Sequence, residues 1–178
     1  MSGSTQVSRV GLGWTSLERP SVVAGQTLLV AALITLPLFY TVVPPLEDYP
    51  NHLARIFALS SLDADPLLAS FYEAEWAAIP NLIMDLVAPP LVPLVGIYAA
   101  GRIFLGVALL LMLTGPVVLH RVVHKRWSAW PLIGGLVYNG FLFVGLMNYL
   151  FGVGLAAWGW PSGSCSPTAR RCSGARRA

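Results

Sequence analysis

The sequence predicts an all-α fold: a polytopic helical membrane protein with three or four transmembrane helices and amphipathic juxtamembrane helices in its first external segment. Three observations predict it. Only 11% of the 178 residues are charged and 56% are hydrophobic, with a mean hydropathy of +0.68, whereas soluble domains average about 25% charged residues. The uncharged residues come in runs long enough to cross a bilayer, at about 20 apolar residues per helix. The charges also sort by sign along the chain. After Glu18, every acid lies between Glu47 and Asp85, while Arg121, Lys125 and Arg126 share one short loop and Arg170, Arg171, Arg176 and Arg177 sit in the tail.

The same numbers exclude other classes. Disorder needs low hydrophobicity and high charge. A disulfide scaffold needs more than Cys165 and Cys172, both in the last stretch. Because acids and bases occupy separate segments, the net charge of +3 does not describe a basic, nucleic-acid-binding surface, and no nucleic-acid partner is expected. Lys and Arg mark the cytoplasmic side. That places residues 44–96 outside and the 120–128 loop inside, in a bacterial inner (plasma) membrane with the N-terminus cytoplasmic.

Residues 1–19 read as a mobile cytoplasmic N-terminus. Residues 21–43 hold no charge and make about 34 Å of helix, enough to cross the bilayer with tilt, with Pro37 as a kink. No small-x-small cleavage site follows, so this is an uncleaved signal-anchor. In the external segment 44–96, Pro50 suits the first turn of a helix beginning near Tyr49, which would point His52 and Arg55 the same way. Asp65-Pro66 is a second helix start with Asp65 as its cap. Leu68, Phe71, Tyr72, Trp76 and Ile79 follow at helical spacing, with Ser70, Glu73 and Ala77 on the other side, and Pro80 ends the run. An amphipathic helix with an aromatic face lies in a membrane interface.

Residues 81–95 are apolar but broken by Pro89, Pro90 and Pro93 and interrupted by Asp85; a half-helix dipping into the membrane fits them. Residues 97–119 form the second span, with Arg102 near its outer end, where it can snorkel. Residues 131–160 are uncharged but too long for one span. Two short ones, about 130–144 and 146–160 with a break within 139–148, keep the Arg-rich tail inside. The tail 161–178 is a disordered basic segment by composition. Either it is native, or it is an out-of-frame read replacing helices that continue past Trp160.

The candidate chemistry lies outside. Glu47-Asp48 stand at the mouth of the first span, followed by Asn51, His52 and Arg55. Such a set can activate a hydroxyl, hold a divalent ion or clamp a phosphate, or simply be a solvated, helix-capping loop. Asp85 is an ionisable group on an apolar segment, a functional candidate by default, with Arg102 or Arg55 as partner. Asn139 and Asn148 read as helix glue. His120 and His124, four apart among Arg121, Lys125 and Arg126, read as a basic turn near anionic lipid.

The order of these pieces resembles a known family. An acidic motif follows the first span (PPLEDYPNHLAR), then a Pro-Leu element (IPNLIMDL), a Gly-led span with an early Arg (GIYAAGRIFLGVALLL) and a basic turn (HRVVHKRW). This resembles the N-terminal part of GT-C-type membrane glycosyltransferases, which use polyprenyl- or dolichyl-phosphate sugars on the outer face. The resemblance covers roughly residues 20–160, about the first third of such an enzyme. It implies Asp48, with Glu47 beside it, as acceptor base or ligand of a divalent metal. The family's early-span arginine aligns with Arg102. The His52 motif is not general to the family; from the residues themselves, His52 and Arg55 would hold a phosphate-bearing lipid and Asp85 would support them. The family's Lys-Pro-Pro-Leu pattern aligns with Ile79, Pro80, Asn81 and Leu82, so its lysine is missing here. The alternative is a non-enzymatic polytopic membrane protein, transporter-like or an inert fragment. The expected partners are membrane lipid and a polyprenyl-phosphate sugar.

The charge pattern yields a topological prediction. A single cysteine at position 60 should react with an impermeant reagent on intact cells, and one at position 125 should not. The reverse labelling would sink the assignment.

Overall fold

The structure, a computed structural model, describes residues 18–129, 132–133 and 136–163. The expectations for residues 1–17 and for the tail from 164 onward, with its two cysteines, lie outside the described residues. All regular structure among the described residues is helical.

Helix α1 (Pro20–Thr35) opens with proline in its first turn, where the missing N–H costs nothing. It breaks at Leu36 and resumes as α2 (Pro37–Tyr40), because Pro37 cannot continue the hydrogen-bond ladder. Thr27 and Thr35 donate their hydroxyls back to the Val23 and Ala31 carbonyls at 2.7 and 2.8 Å, so neither exposes an unpaired O–H on an apolar helix. Tyr138 donates to the Ile34 carbonyl at 2.7 Å, tying this helix to a distant part of the chain.

Helix α3 (Tyr49–Ser61) has Pro50 in its first turn and buries Tyr49, Leu53 and Ile56, three residues on one face. Helix α4 (Pro66–Ala69) is capped by Asp65, whose Oδ1 accepts from the Leu67 and Leu68 N–H groups at 2.9 and 3.2 Å. Both starts lie where the sequence places them. The aromatic-faced helix expected after Asp65 does not form: α4 ends at Ala69, and residues 72–79 carry no regular structure. Ser70 turns its hydroxyl onto the Leu67 carbonyl at 2.7 Å, a local bond that competes with helix continuation.

Helix α5 (Ile83–Val87), a 3₁₀ turn (Pro89–Leu91) and α6 (Val92–Val95) are the proline-broken segment. Gly96, at φ +79°, turns the chain into α7 (Ile97–His124), which runs five residues past the expected end of the second span. Asn139 caps α8 (Gly140–Val144), its Oδ1 accepting from Phe141 and Leu142 N–H. The break within 139–148 falls at Gly145, whose φ of +94° is a left-handed conformation that glycine adopts without strain. Helix α9 (Met147–Gly163) follows. Among the described residues, two helical stretches are long and apolar enough to cross a membrane, Pro20–Tyr40 and Ile97–His124.

The largest helix pairing is α7 with α9. A Cβ on Gly154 would lie 2.7 Å from the Leu111 backbone and 2.8 Å from the Met112 nitrogen, and one on Gly115 2.8 Å from the Gly154 carbonyl oxygen. The two helices therefore meet backbone to backbone. Phe104 stacks on Phe151 at 5.1 Å, and Trp158 Nε1 donates to Thr114 Oγ1 at 2.9 Å. Nearer the start of α7, Gly101 makes room for Tyr49 and Leu53 of α3.

One methyl group separates contact from open space on α9. Gly154→Ala should destabilise the folded chain in detergent by about 1–3 kcal/mol through overpacking. Gly152→Ala, with nothing within 4 Å of the new carbon, should be neutral or slightly stabilising. Thermal unfolding of the two variants, read by circular dichroism, makes the comparison; equal midpoints would contradict the packing argument.

Candidate functional site

Asp48 is fixed by backbone. The N–H groups of Glu47 and Asp48 donate to the Phe143 and Val144 carbonyls at 2.9 and 3.2 Å. The Asp48 Cβ stands only 2.9 Å from where a Cβ on Gly145 would be. The acidic motif after the first helix and the turn before the last one thus hold each other. Asp48 precedes α3, and His52 and Arg55 follow at helical intervals on that helix, so all three line one side of it. His52 Nε2 lies 3.3 Å from Asp48 Oδ2, and Asn51 Nδ2 donates to Asp48 Oδ1 at 2.8 Å.

The partner of Asp85 is Arg55. Its Nη2 lies 2.8 Å from Asp85 Oδ2; the carboxylate is 3% exposed and the guanidinium side chain 53%. The contact is an ion pair whose alignment does not make a hydrogen bond to that oxygen. Burial pushes the Asp85 carboxyl above the usual carboxylate range, while the charges of Arg55 and His52 pull it back down. Asp85 keeps its place because Asn148 Oδ1 accepts from the Met84 N–H at 2.8 Å, a buried bond across 64 residues. Asn148 is therefore helix glue, and Asn139 is a cap.

Arg102 does not join this group. Its Nη1 reaches the Leu38 and Thr41 carbonyls at 3.4 Å and its Nε the Tyr98 carbonyl at 3.3 Å. It gathers carbonyls at the end of α2, where a cation is favoured. The neighbouring Tyr49 hydroxyl is buried without a hydrogen-bond partner, and burial pushes it up to about 12, with Arg102 acting in the opposite direction.

Arg55 and Asp85 line a groove of about 190 Å³. Its opposite wall includes Tyr72 and Trp76, which the sequence assigns to one face of a helix, Glu73, which it assigns to the other, and Glu75. Without helix after Ala69, these side chains come together along one irregular segment. Asp48, Glu47 and His52 lie outside the groove lining. A divalent metal at Asp48 is not matched by its surroundings: among the described residues no group of three His, Cys, Asp or Glu side chains comes together to hold one, and Asp48 has His52 and Asn51 as its near partners.

The Arg55–Asp85 pair should leave a pH signature. Arg55→Met leaves a buried carboxylate without its counter-charge and should cost about 1–3 kcal/mol near neutral pH. A raised carboxyl pKa means the folded protein holds its proton longer than the unfolded chain. Stability is then greatest below the ordinary carboxylate pKa and falls as pH rises through the raised one. Removing Arg55 should push that fall to higher pH and deepen it, and Arg55→Met with Asp85→Asn should lack it. Unfolding midpoints measured across acid to neutral pH would refute this if the single variant tracked the native chain.

Comparison with protein-family models, curated proteins and solved structures finds no match to this chain.

Proposed function

We propose that this chain is a membrane domain from a lipid-linked-sugar-dependent glycosyltransferase, corresponding to the N-terminal part of such an enzyme and acting on the outer face of a bacterial inner membrane. In this reading α1–α2, α7 and α9 are spans, residues 140–144 belong to a fourth, shorter excursion, the N-terminus is cytoplasmic, and α3 lies at the outer surface. The observation that carries the proposal is the polar row along α3. Asp48 pairs with His52 at one end, and Arg55 pairs with Asp85 one turn further on.

The row suits transfer to a hydroxyl. Asp48 is half exposed and has an imidazole beside it, so it is the group to take an acceptor proton, with His52 sharing the charge. Arg55 is half exposed and offers guanidinium N–H groups to a phosphate. Asp85 is a positioning residue for Arg55. No step is assigned to a metal, since the donor set does not fit one. Arg102, committed to carbonyls at the end of α2, has no role at the acceptor. The transporter-like alternative loses its two mid-membrane amides, because Asn139 caps α8 and Asn148 holds Met84.

The test is transfer of labelled sugar from a polyprenyl-phosphate donor in membranes, using a longer protein that carries this domain. Asp48→Asn keeps the shape and removes the charge. It should lower transfer about 10²–10⁴-fold while leaving the inserted, folded amount unchanged. Wild-type transfer by that variant would remove the catalytic role.

A further inference from the structure

The groove between α3 and residues 72–79 has a chemistry that sugar transfer does not use. Its lining holds Glu73, Glu75 and Asp85 against one cation, Arg55, and two aromatic rings, Tyr72 and Trp76. By formal charge its lining is acidic, with three carboxylates against one guanidinium. At its base Asp85 is 4% exposed, and its Oδ2 faces Arg55 without a hydrogen bond. Tyr72 and Trp76 are 61% and 57% exposed, although large aromatic rings are usually placed where they bury area. Between Tyr72 and Ile79 the wall is irregular, so side chains on both sides of the segment can turn toward a ligand.

Carboxylates beside aromatic faces in a small groove favour an organic cation. The ring faces attract positive charge and cover methyl or methylene groups, and the carboxylates fix the centre of charge. Within the groove the two glutamates oppose an anion. Inorganic cations are more strongly hydrated and carry no methyl or methylene groups for the rings to cover, so they gain less from the rings. We propose that this groove binds a small organic ammonium group, between the segment that carries Tyr72, Glu73, Glu75 and Trp76 on one side and Asp85 on the other. The groove's volume of about 190 Å³ suits a choline- or ethanolamine-sized group. Such a group comes either from a free amine or from a zwitterionic lipid headgroup. The inference stands on the groove alone and does not depend on sugar transfer.

The experiment titrates the full chain in detergent with choline, and with its neutral carbon isostere 3,3-dimethylbutan-1-ol, at constant ionic strength. Binding is read by tryptophan fluorescence and by ligand-observed nuclear magnetic resonance. Choline should bind saturably and at least about ten-fold more tightly than the isostere. Trp76→Leu should weaken choline binding and remove its fluorescence change. Glu73→Gln with Glu75→Gln should bring choline down to the isostere's affinity. All three positions are exposed, so the fold should survive, and far-ultraviolet circular dichroism checks it. Equal affinity for choline and the isostere, absence of saturable choline binding, or binding unchanged in the folded variants would each overturn the proposal. Repeating the titration in phosphatidylcholine and phosphatidylglycerol nanodiscs separates the sources. Weaker choline binding in the phosphatidylcholine discs assigns the groove to a lipid headgroup, and equal binding assigns it to a free amine.

Discussion

Helix α9 lies against α7 at a distance that side chains do not permit. Gly115 and Gly154 face the partner backbone at points where a Cβ would come within 2.9 Å of it or of Ala157. Two features at the start of α9 depend on that closeness. The Gly145 turn brings the carbonyls of Phe143 and Val144 to the Glu47 and Asp48 N–H groups. Asn148 takes the Met84 N–H and so holds the short helix that carries Asp85. One end of the polar row is therefore tied to the carbonyls that close α8, and the other, through Met84, to Asn148 of α9. In an apolar environment helices gain little from burying apolar surface against one another. Close backbone packing and a few buried polar bonds have to supply the specificity, and here they also place the charges.

This dependence explains what was legible in the sequence. Local punctuation was readable, because its cause is local. Pro50 and Asp65 start helices, Pro37 breaks one, and the chain turns within 139–148, although at Gly145 rather than at either asparagine. The clustering of Asp48, His52 and Arg55 was readable too, since helical spacing fixes it. The choice between Arg55 and Arg102 for Asp85 was not. Nothing near Asp85 decides it; Asn148 and the end of α2 do, one by holding the α5 backbone and the other by occupying Arg102. The stretch from Ala74 to Ala78 misled for the opposite reason. Its residues have good helix propensity, but a short helix needs tertiary contacts, and residues 70–81 are exposed throughout.

The charges also divide along α7. Its N-terminal third packs against α3, beside the acidic segment, and its other end carries His120, Arg121, His124, Lys125 and Arg126. The rings of His120 and His124 lie 4.5 Å apart, and Arg121 sits over Trp127 at 5.5 Å. A 28-residue helix spans about 42 Å, so acids and bases are held a membrane's width apart. The arrangement also agrees with the helix dipole, whose negative end meets the basic cluster.

The two walls of the groove are built differently, and that difference bears on how it would take a ligand. The α3 wall is a regular helix whose other face is buried against the core through Leu53 and Ile56. The facing wall, residues 72–79, has two described backbone bonds, from Tyr72 N–H to the Leu68 carbonyl and from Ile79 N–H to the Ala77 carbonyl, and no buried side chain. A segment with few protected bonds can rearrange at low cost. Ligand entry would then move Glu73, Glu75 and Trp76 while Arg55 and Asp85 stay in place. Because Arg55 is held by α3 and by its partner Asp85 on α5, a change in the irregular wall reaches the polar row through the field it exerts on that guanidinium. This limits what a bound cation can do to the Asp48–His52 pair: it can alter the charge balance at Arg55, but it has no rigid lever with which to shift Asp48, whose backbone is tied to the turn before α9.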